Sequence, residues 1–304
     1  MSRSAVGAAV LVLLAAACES VTYGVTSSSW LDNEHLLVAG PTFGVAKVAC
    51  DGTIQQQWLR RADQITSVCA LPGADRCLVE SGRDHVSPHG YFGYEAPEMY
   101  SLDLRDQAMT RITNDEWEDR LLCRTGDVVW ICRWRWLRAQ SGLLEAPREI
   151  ELVQFNFVTG AWTKTADLNE SDAVRSGTGL PDASGVIAWP SLKFSAEGEQ
   201  ISNDYPWETQ TQREGFRVLS VSSSDRAKYS WFYNVEGTDL STGVTRTIYR
   251  GGEFWNINNL QISPDGKFLS FIESNASSAS PICIVELESQ HLVKVLVEPS
   301  YERH

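Results

Sequence analysis

The sequence predicts an all-β domain folded as a β-propeller, and three observations support this fold class. Short runs rich in Val, Ile, Thr, Trp, Tyr and Phe alternate with Gly, Pro, Asp and Asn turns along the chain. Beyond the N-terminal segment, no apolar stripe with helical spacing continues for the length of an ordinary helix. A strand–turn–strand unit also recurs, and clear strand runs begin at His35, Val128, Glu151 and Phe268.

The recurring unit is a hairpin with one turn residue at its centre. The centres of the five clearest copies are spaced about 55, 53, 83 and 47 residues apart, at Gly52, Gln107, Gly160, Gly243 and Gln290. A period near 50 residues with four short strands per unit is typical of propeller blades. The long gap between Gly160 and Gly243 requires two compact blades or one blade with an insertion within 203–213. A further hairpin at 179–189 favours six blades, with five as the alternative.

The N-terminal segment predicts an export signal. Arg3 precedes an apolar run over 5–17, which is too short to cross about 30 Å of hydrocarbon as a helix. Residues 14–18 resemble a bacterial lipobox, whose cysteine, here Cys18, is diacylated and becomes the mature N-terminus. The lipobox usually has Leu where this chain has Ala15. The three alanines before the cysteine also fit an ordinary cleavage site, so a soluble secreted product is the alternative.

These features divide the chain into three parts. Residues 1–17 are the predicted lipoprotein signal peptide, 18–27 a short N-terminal tether and 28–300 a single propeller domain. A diacylated cysteine supplies the two lipid chains that stable anchoring requires. Glu19 stands where Asp usually marks inner-membrane retention in the resembled lipoproteins, so the outer membrane is the favoured location.

The charge of the chain argues against two classes of partner. Its net charge is −13, and removal of the predicted signal, whose one basic residue is Arg3, makes it −14. Nucleic-acid phosphates require clusters of Lys and Arg, so no nucleic acid is predicted to bind. Electrostatic adhesion to anionic lipid headgroups is disfavoured for the same reason.

Six cysteines follow Cys18, and an even number in an exported chain predicts disulfides. One predicted pair flanks a turn centred on Gly73, so its two cysteines can face each other across a hairpin. A second pair flanks a turn with less suitable spacing, and a third would join the two ends of the domain. The three pairs are Cys69 with Cys77, Cys123 with Cys132, and Cys50 with Cys283. The alternative is that several are buried thiols packed as small apolar side chains.

The sharpest repeat lies near the C-terminus, within residues 262–271. It contains the run Ser263, Pro264, Asp265, Gly266 and Lys267. This run resembles the Ser-Pro-Asp-Gly-Lys hairpin of the WD40-like repeat in TolB-type propellers. Proline presets φ for such a turn, aspartate caps it and glycine supplies a positive φ.

Two further segments extend this resemblance. Residues 194–202 form a degraded copy of the hairpin, and residues 113–119 resemble the linker between repeats in that family. TolB itself carries an extra α/β domain ahead of its propeller, for which this chain has no room. The resemblance therefore implies the TolB propeller fold and a protein-binding scaffold in the cell envelope, without TolB's own role.

One loop offers metal ligands. His85, His89 and Glu95 are residue types found in zinc sites, but a His-x3-His spacing is usable mainly on a helix, which Pro88 prevents. The acidic residues 114–119 lack the glycine and the closing glutamate of an EF-hand calcium loop. No metal and no cofactor are therefore predicted, and the two histidines with the glutamate stay the alternative metal site.

The sequence contains no recognisable catalytic set, since it lacks a G-x-S-x-G elbow and a framed catalytic histidine. Trp134 and Trp207, with Arg133, offer a surface for stacking sugars or binding peptide, unless they pack within the fold. We therefore expect an envelope lipoprotein whose non-catalytic propeller binds a protein partner. The alternative is a propeller enzyme or glycan-binding protein that uses the metal loop or the aromatic surface.

Overall fold

The computed structural model describes residues 24–58, 64–73, 75–83, 98–115, 117–135, 149–167, 187–188, 193–194, 200–202, 210–213, 215–225, 230–252, 255–274 and 279–298. Every regular element in these segments is a β-strand, so the predicted all-β fold is confirmed. No helix in the described part of the chain is long and apolar enough to cross a membrane.

Consecutive strands form antiparallel sheets, each paired in chain order. Sheet 1 contains β1 (Ser27–Trp30), β2 (His35–Gly40), β3 (Gly44–Ala49) and β4 (Ile54–Trp58). Sheet 2 contains β5 (Ile65–Ala70), β6 (Arg76–Ser81), β7 (Glu98–Asp103) and β8 (Met109–Arg111). Sheet 3 contains β9 (Glu118–Thr125), β10 (Val128–Arg135), β11 (Glu149–Asn156) and β12 (Trp162–Asp167).

The remaining strands form three more sheets in the described residues. Sheet 4 contains β13 (Ile187–Ala188), β14 (Lys193–Phe194) and β15 (Gln200–Ser202). Sheet 5 contains β16 (Gln210–Arg213), β17 (Phe216–Asp225), β18 (Ser230–Asp239) and β19 (Thr245–Arg250). Sheet 6 contains β20 (Asn256–Ile262), β21 (Phe268–Ser274), β22 (Ile282–Glu286) and β23 (Leu292–Val295). Because sheet 4 is described over three short strands only, the count of six blades rather than five stays a prediction.

Apolar side chains join neighbouring sheets face to face. Along β2, Leu36 packs towards sheet 6, whereas Leu37 packs towards sheet 2. Successive side chains of a strand point to opposite faces, so a strand buried on both faces consists of consecutive apolar residues. A further cluster, which includes Leu78 and Val129, joins sheets 2 and 3. Another cluster joins sheets 5 and 6.

The recurring hairpins join the third and fourth strands of sheets 1, 2, 3, 5 and 6. All five centre residues have a positive φ: Gly52 (88°), Gln107 (63°), Gly160 (73°), Gly243 (71°) and Gln290 (58°). The Ser263–Lys267 run forms a different turn, between β20 and β21. There the Ser263 hydroxyl donates to Asp265 Oδ1 over 2.7 Å, which in turn accepts the Lys267 N–H.

Among the described strands, sheet 1 meets sheet 6 without exchanging one. Gly24 forms a parallel bridge with Ser280, and the Val25 N–H donates to the Ser280 carbonyl over 2.8 Å. Gly24 has a φ of 117°, and a Cβ there would lie 2.3 Å from the Ser280 nitrogen, so only glycine fits. Two side-chain bonds continue this contact, from Ser28 Oγ to Asn259 Oδ1 (2.7 Å) and from Trp30 Nε1 to Gln261 O (3.2 Å).

The predicted disulfides are corrected by the strand register. The five cysteines whose side chains are described, Cys50, Cys69, Cys77, Cys132 and Cys283, are free thiols. Cys69 lies opposite Leu78 and Cys77 lies opposite Ala70, so the two cysteines point to opposite faces of sheet 2. Cys69 packs towards sheet 3 and Cys77 towards sheet 1.

The other two predicted pairs are wrong for similar reasons. The backbone of Cys123 pairs with Trp130, whereas Cys132 lies opposite Arg120. Cys283 packs between sheets 5 and 6, whereas Cys50 borders the cluster between sheets 6 and 1. The alternative, thiols packed as small apolar side chains, describes the four buried cysteines.

Candidate functional site

The first strands of neighbouring sheets run in the same direction. Thr26 Oγ1 donates to the Thr66 carbonyl over 2.7 Å, and the Ala70 N–H donates to Ser29 Oγ over 3.0 Å. These contacts place β5 parallel to β1. The hydrogen bonds from Ser28 to Asn259 and from Trp30 to Gln261 place β20 parallel to β1 as well. Equivalent ends of these sheets therefore lie on the same side of the propeller.

The propeller consequently has two distinct faces. In sheets 1, 2, 3, 5 and 6, second strands end and third strands begin on the long-loop face. On the turn face, short turns join first strands to second strands and third strands to fourth strands.

Sheet 3 carries a charged and aromatic cluster near the long-loop face. Arg133 Nε donates to Asp119 Oδ1 over 2.5 Å, and Arg133 Nη2 donates to Asp115 Oδ2 over 2.6 Å. The guanidinium carbon lies 5.5 Å from the ring centroid of Trp117 and 5.1 Å from that of Trp162. Burial raises the pKa of Asp119 to about 6, although the Arg133 charge opposes the rise.

Sheet 6 carries a comparable cluster, which reaches sheet 5. Lys294 Nζ donates to Glu273 Oε2 over 2.6 Å, and Tyr249 OH donates to Glu273 Oε1 over 2.7 Å. The Gly252 N–H is a third donor to this carboxylate, at 3.3 Å. Burial alone would raise the pKa of Glu273, but the hydrogen bonds from Lys294, Tyr249 and Gly252 lower it. Burial and then the Glu273 carboxylate raise the pKa of Tyr249 to about 12.

Sheet 2 contributes two more buried carboxylates at this end. Arg111 Nη2 donates to Glu98 Oε1 over 2.8 Å, and only 1% of the Glu98 side chain is exposed. Glu80 accepts the Thr66 hydroxyl over 2.7 Å and the Leu121 N–H over 3.2 Å, which links sheet 2 to the first strand of sheet 3. Burial raises the pKa of Glu80.

The buried carboxylates and thiols described above stabilise the fold and are poorly suited to catalysis. Each of the four carboxylates bonds a cation or neutral donor of the protein, so its lone pairs are directed into the fold. Burial raises the pKa of every described thiol, to about 11 for Cys50 and Cys69, and about 12 for Cys132 and Cys283. A thiol with such a pKa is a poor nucleophile at neutral pH. Among the described residues, no three His, Cys, Asp or Glu side chains are grouped as metal ligands.

The turn face has a different surface. Ile54, Val158, Leu240 and Val244 are exposed large apolar side chains, and all four lie in or beside turns between third and fourth strands. Exposed carboxylates occupy the same face, at Glu34, Asp51, Asp75, Asp106, Asp127 and Glu288. The exposed cations Arg105 and Lys267 in these turns pair with neighbouring aspartates. Apolar side chains and exposed carboxylates are therefore available to a partner on the turn face.

Several predicted site residues lie outside the part of the chain that the structure describes. These are Cys18, the alternative metal ligands His85, His89 and Glu95, and the side chains of Trp134 and Trp207. Arg133 was predicted as part of an aromatic surface, and its aromatic partners are Trp117 and Trp162. The Lys294–Glu273–Tyr249 contact was missed, because its members are far apart in sequence and no motif marks them.

Among solved structures, the chain is similar to TolB from Acinetobacter baumannii, with a TM-score of 0.57 and 13% identity over 88% of this chain and 64% of that one. The chain folds as a TolB-like β-propeller. The predicted propeller fold is thereby confirmed. The chain spans 64% of the length of that TolB structure.

Two further structures resemble the TolB-like propeller more distantly. An oligogalacturonate lyase in complex with manganese has a TM-score of 0.48 and 13% identity, over 93% of this chain and 79% of that one. The WD40 β-propeller domain of Doa1 has a TM-score of 0.43 and 12% identity, over 90% of this chain and 83% of that one. No family model and no curated protein matches the sequence.

Proposed function

We propose that this chain is a lipoprotein anchored in the cell envelope through Cys18, with the outer membrane favoured, and that its propeller is a non-catalytic scaffold for a protein partner. One observation carries the scaffold role in this proposal, and the lipobox at residues 14–18 supports the anchor. Buried charges near the long-loop face pair with one another, whereas carboxylates and apolar side chains on the turn face are exposed. A fold rigidified by internal pairs, with exposed apolar and acidic side chains on its turn face, suits contact with another protein.

The composition of the turn face supports a protein partner. Apolar side chains at its turns supply area to bury, and Val158 and Val244 are 67% and 63% exposed. Surrounding carboxylates favour a partner with basic or neutral groups, because electrostatic complementarity selects partners and raises association rates. The same excess of carboxylates disfavours nucleic acid.

The anchor is tested by the intact mass of protein extracted from membranes. We expect two or more acyl chains on the mature N-terminal cysteine, and their loss in the variant Cys18→Ser. The matched variant Cys50→Ser, which removes a thiol of the propeller, keeps the acyl mass. An unmodified N-terminus in the wild-type protein contradicts the anchor and leaves the secreted alternative.

Partner binding is tested by photocrosslinking in living cells. A photoreactive amino acid at position 158 or 244 is expected to capture the same protein partner. Position 296 is the matched control, because Leu296 is also an exposed apolar residue (55%) but follows β23 towards the long-loop face. A lack of any crosslinked protein, combined with turnover of an ester, peptide or glycan by the purified chain, overturns the proposal.

A glycan-binding or enzymatic propeller is the second candidate, and the Trp162 ring favours it. This side chain is 38% exposed while the Arg133 guanidinium stacks against its ring. Exposed tryptophan faces can stack on sugar rings. Quenching of tryptophan fluorescence by oligosaccharides, lost in Trp162→Ala, supports this candidate, as does one tightly bound zinc or calcium ion per chain.

A further inference from the structure

The described chain enters the propeller at the long-loop face. The Val25 N–H bonds the carbonyl of Ser280, which lies in the connection between β21 and β22, and the Thr26 N–H bonds the carbonyl of Ala39 near the end of β2. Both contacts belong to the long-loop face. Because β1 is the first strand of its sheet and contacts β5 and β20, Gly24 lies close to the propeller axis.

Gly24 lies only a short distance along the chain from Cys18, with Glu19 to Tyr23 between them. A chain of that length spans at most about 20 Å when fully extended. To lay the turn face on a membrane, the tether would have to cross four strands, about 15 Å, and then descend one strand length, about 20 Å. If it ran back along β1 instead, its whole extended length would bring it to the level of Trp30, at the turn-face end of β1, with no length left to pass the turns beyond.

We infer that the long-loop face is held against the lipid bilayer and that the turn face is directed away from it. This inference rests on the proposed acylation of Cys18. The bilayer is the occupant of the long-loop side because the tether begins there and is too short to carry Cys18 beyond the turn face. The same geometry leaves the exposed turn residues accessible to a protein partner.

The orientation is tested by energy transfer from two positions of sheet 6. Asn256 is exposed at the start of β20, at the long-loop face, and Glu288 is exposed in the turn between β22 and β23, at the turn face. Each residue is changed to Cys in a Cys50→Ser background, because the other described thiols are buried. A maleimide donor on the acylated protein is then measured in phosphatidylethanolamine–phosphatidylglycerol vesicles with a headgroup acceptor.

We expect at least twofold higher transfer efficiency from position 256, because the length of β20, about 23 Å at the usual rise per strand residue, separates the two faces. The same labels on the Cys18→Ser protein give no transfer above the free-dye control. Equal or reversed efficiencies on a protein whose mass shows acyl chains overturn the orientation alone. A protein without acyl chains overturns both the anchor and the orientation.

Discussion

At the long-loop face, Asp119 and Glu273 are buried beside cations and aromatic rings; at the turn face, Gln107 and Gln290 hold left-handed backbone conformations in exposed turns. The first pair depends on charge, so its contribution to stability varies with pH. The second pair depends on backbone sterics, which pH does not affect. Changes at the two faces can therefore be separated by the pH dependence of unfolding.

Within the long-loop face, two buried carboxylates also differ. Glu273 accepts three donors, and its pKa is lowered in spite of burial. Asp119 Oδ2 is buried without a hydrogen-bond partner in the described residues, and its pKa is raised by burial. The three donors of Glu273 outweigh the effect of its burial, whereas at Asp119 burial outweighs the charge of Arg133.

The largest expected effect comes from removing the cation of sheet 3. The Arg133 side chain is 11% exposed, so Arg133→Met leaves Asp119 buried without its counter-charge. We expect a loss of about 3–5 kcal/mol in the free energy of unfolding at pH 7, measured with urea. The apolar stem of methionine retains part of the packing against the two tryptophans.

Lys294→Met is the matched variant in sheet 6. Lys294 is 43% exposed, and Glu273 keeps its bonds from Tyr249 and Gly252, so we expect a loss of only about 1–2 kcal/mol. If the lysine variant is destabilised as much as Arg133→Met, the number of donors does not distinguish the two clusters.

The second prediction concerns pH. The pKa of Asp119 is about 6 in the folded protein against 3.8 as the ordinary value, so its stabilising contribution is fully present below pH 3.8 and is lost as the pH rises through 6. Relative to Asp119→Asn, the wild-type protein should therefore lose about 3 kcal/mol of unfolding free energy between pH 3.8 and pH 6. Urea unfolding of both proteins across this range measures the difference.

Glu273→Gln provides the control with the opposite sign. The lowered pKa of Glu273 gives stability that is present above the ordinary value of 4.5 and is lost as the pH falls through the folded value. The wild-type protein should therefore lose stability relative to this variant on acidification. The same sign for both carboxylates would contradict the contrast between the clusters.

Much of the fold follows from the sequence, because turn chemistry and strand composition are local. Gly160 and Gly243 mark turns directly, and Gln107 and Gln290 follow from the spacing of the repeat. The disulfides depend instead on register. Spacing around Gly73 places Cys69 opposite Cys77, but the actual pairing differs by one residue, and a shift of one residue moves a side chain to the other face.

The charged clusters could be predicted only in part. Residues 113–119 were predicted only as a linker between repeats, yet Arg133, 18 residues after Asp115, bonds Asp115 because β10 lies beside β9. Tyr249 and Lys294 are 45 residues apart and meet only where sheet 5 packs on sheet 6. Such contacts depend on how whole sheets are placed, and local sequence patterns do not report this placement.

A smaller effect is expected at the turn face. Gly160 has a φ of 73° with no atom within 4 Å of an added Cβ, so Gly160→Ala introduces backbone strain without a steric clash. We expect a loss of about 1–2 kcal/mol, and a gain of about 0.5–1 kcal/mol for Gln290→Gly, which relieves the same strain. Both changes in the free energy of unfolding should be constant from pH 4 to pH 7. A variation with pH would show that the stability of the turn face depends on the charged clusters.

The smallest expected effect on stability comes from Val158→Asn. Val158 is 67% exposed, so its replacement should change the free energy of unfolding by less than about 0.5 kcal/mol. The yield of the product crosslinked at position 244 should nevertheless fall in this variant, because both side chains belong to the proposed partner surface. Leu296→Asn is the matched change at the other face and should leave that yield unchanged. Equal yields in both variants would show that the exposed apolar side chains of the turns do not contribute to partner binding. The difference in stability between the two faces would be unaffected by that result.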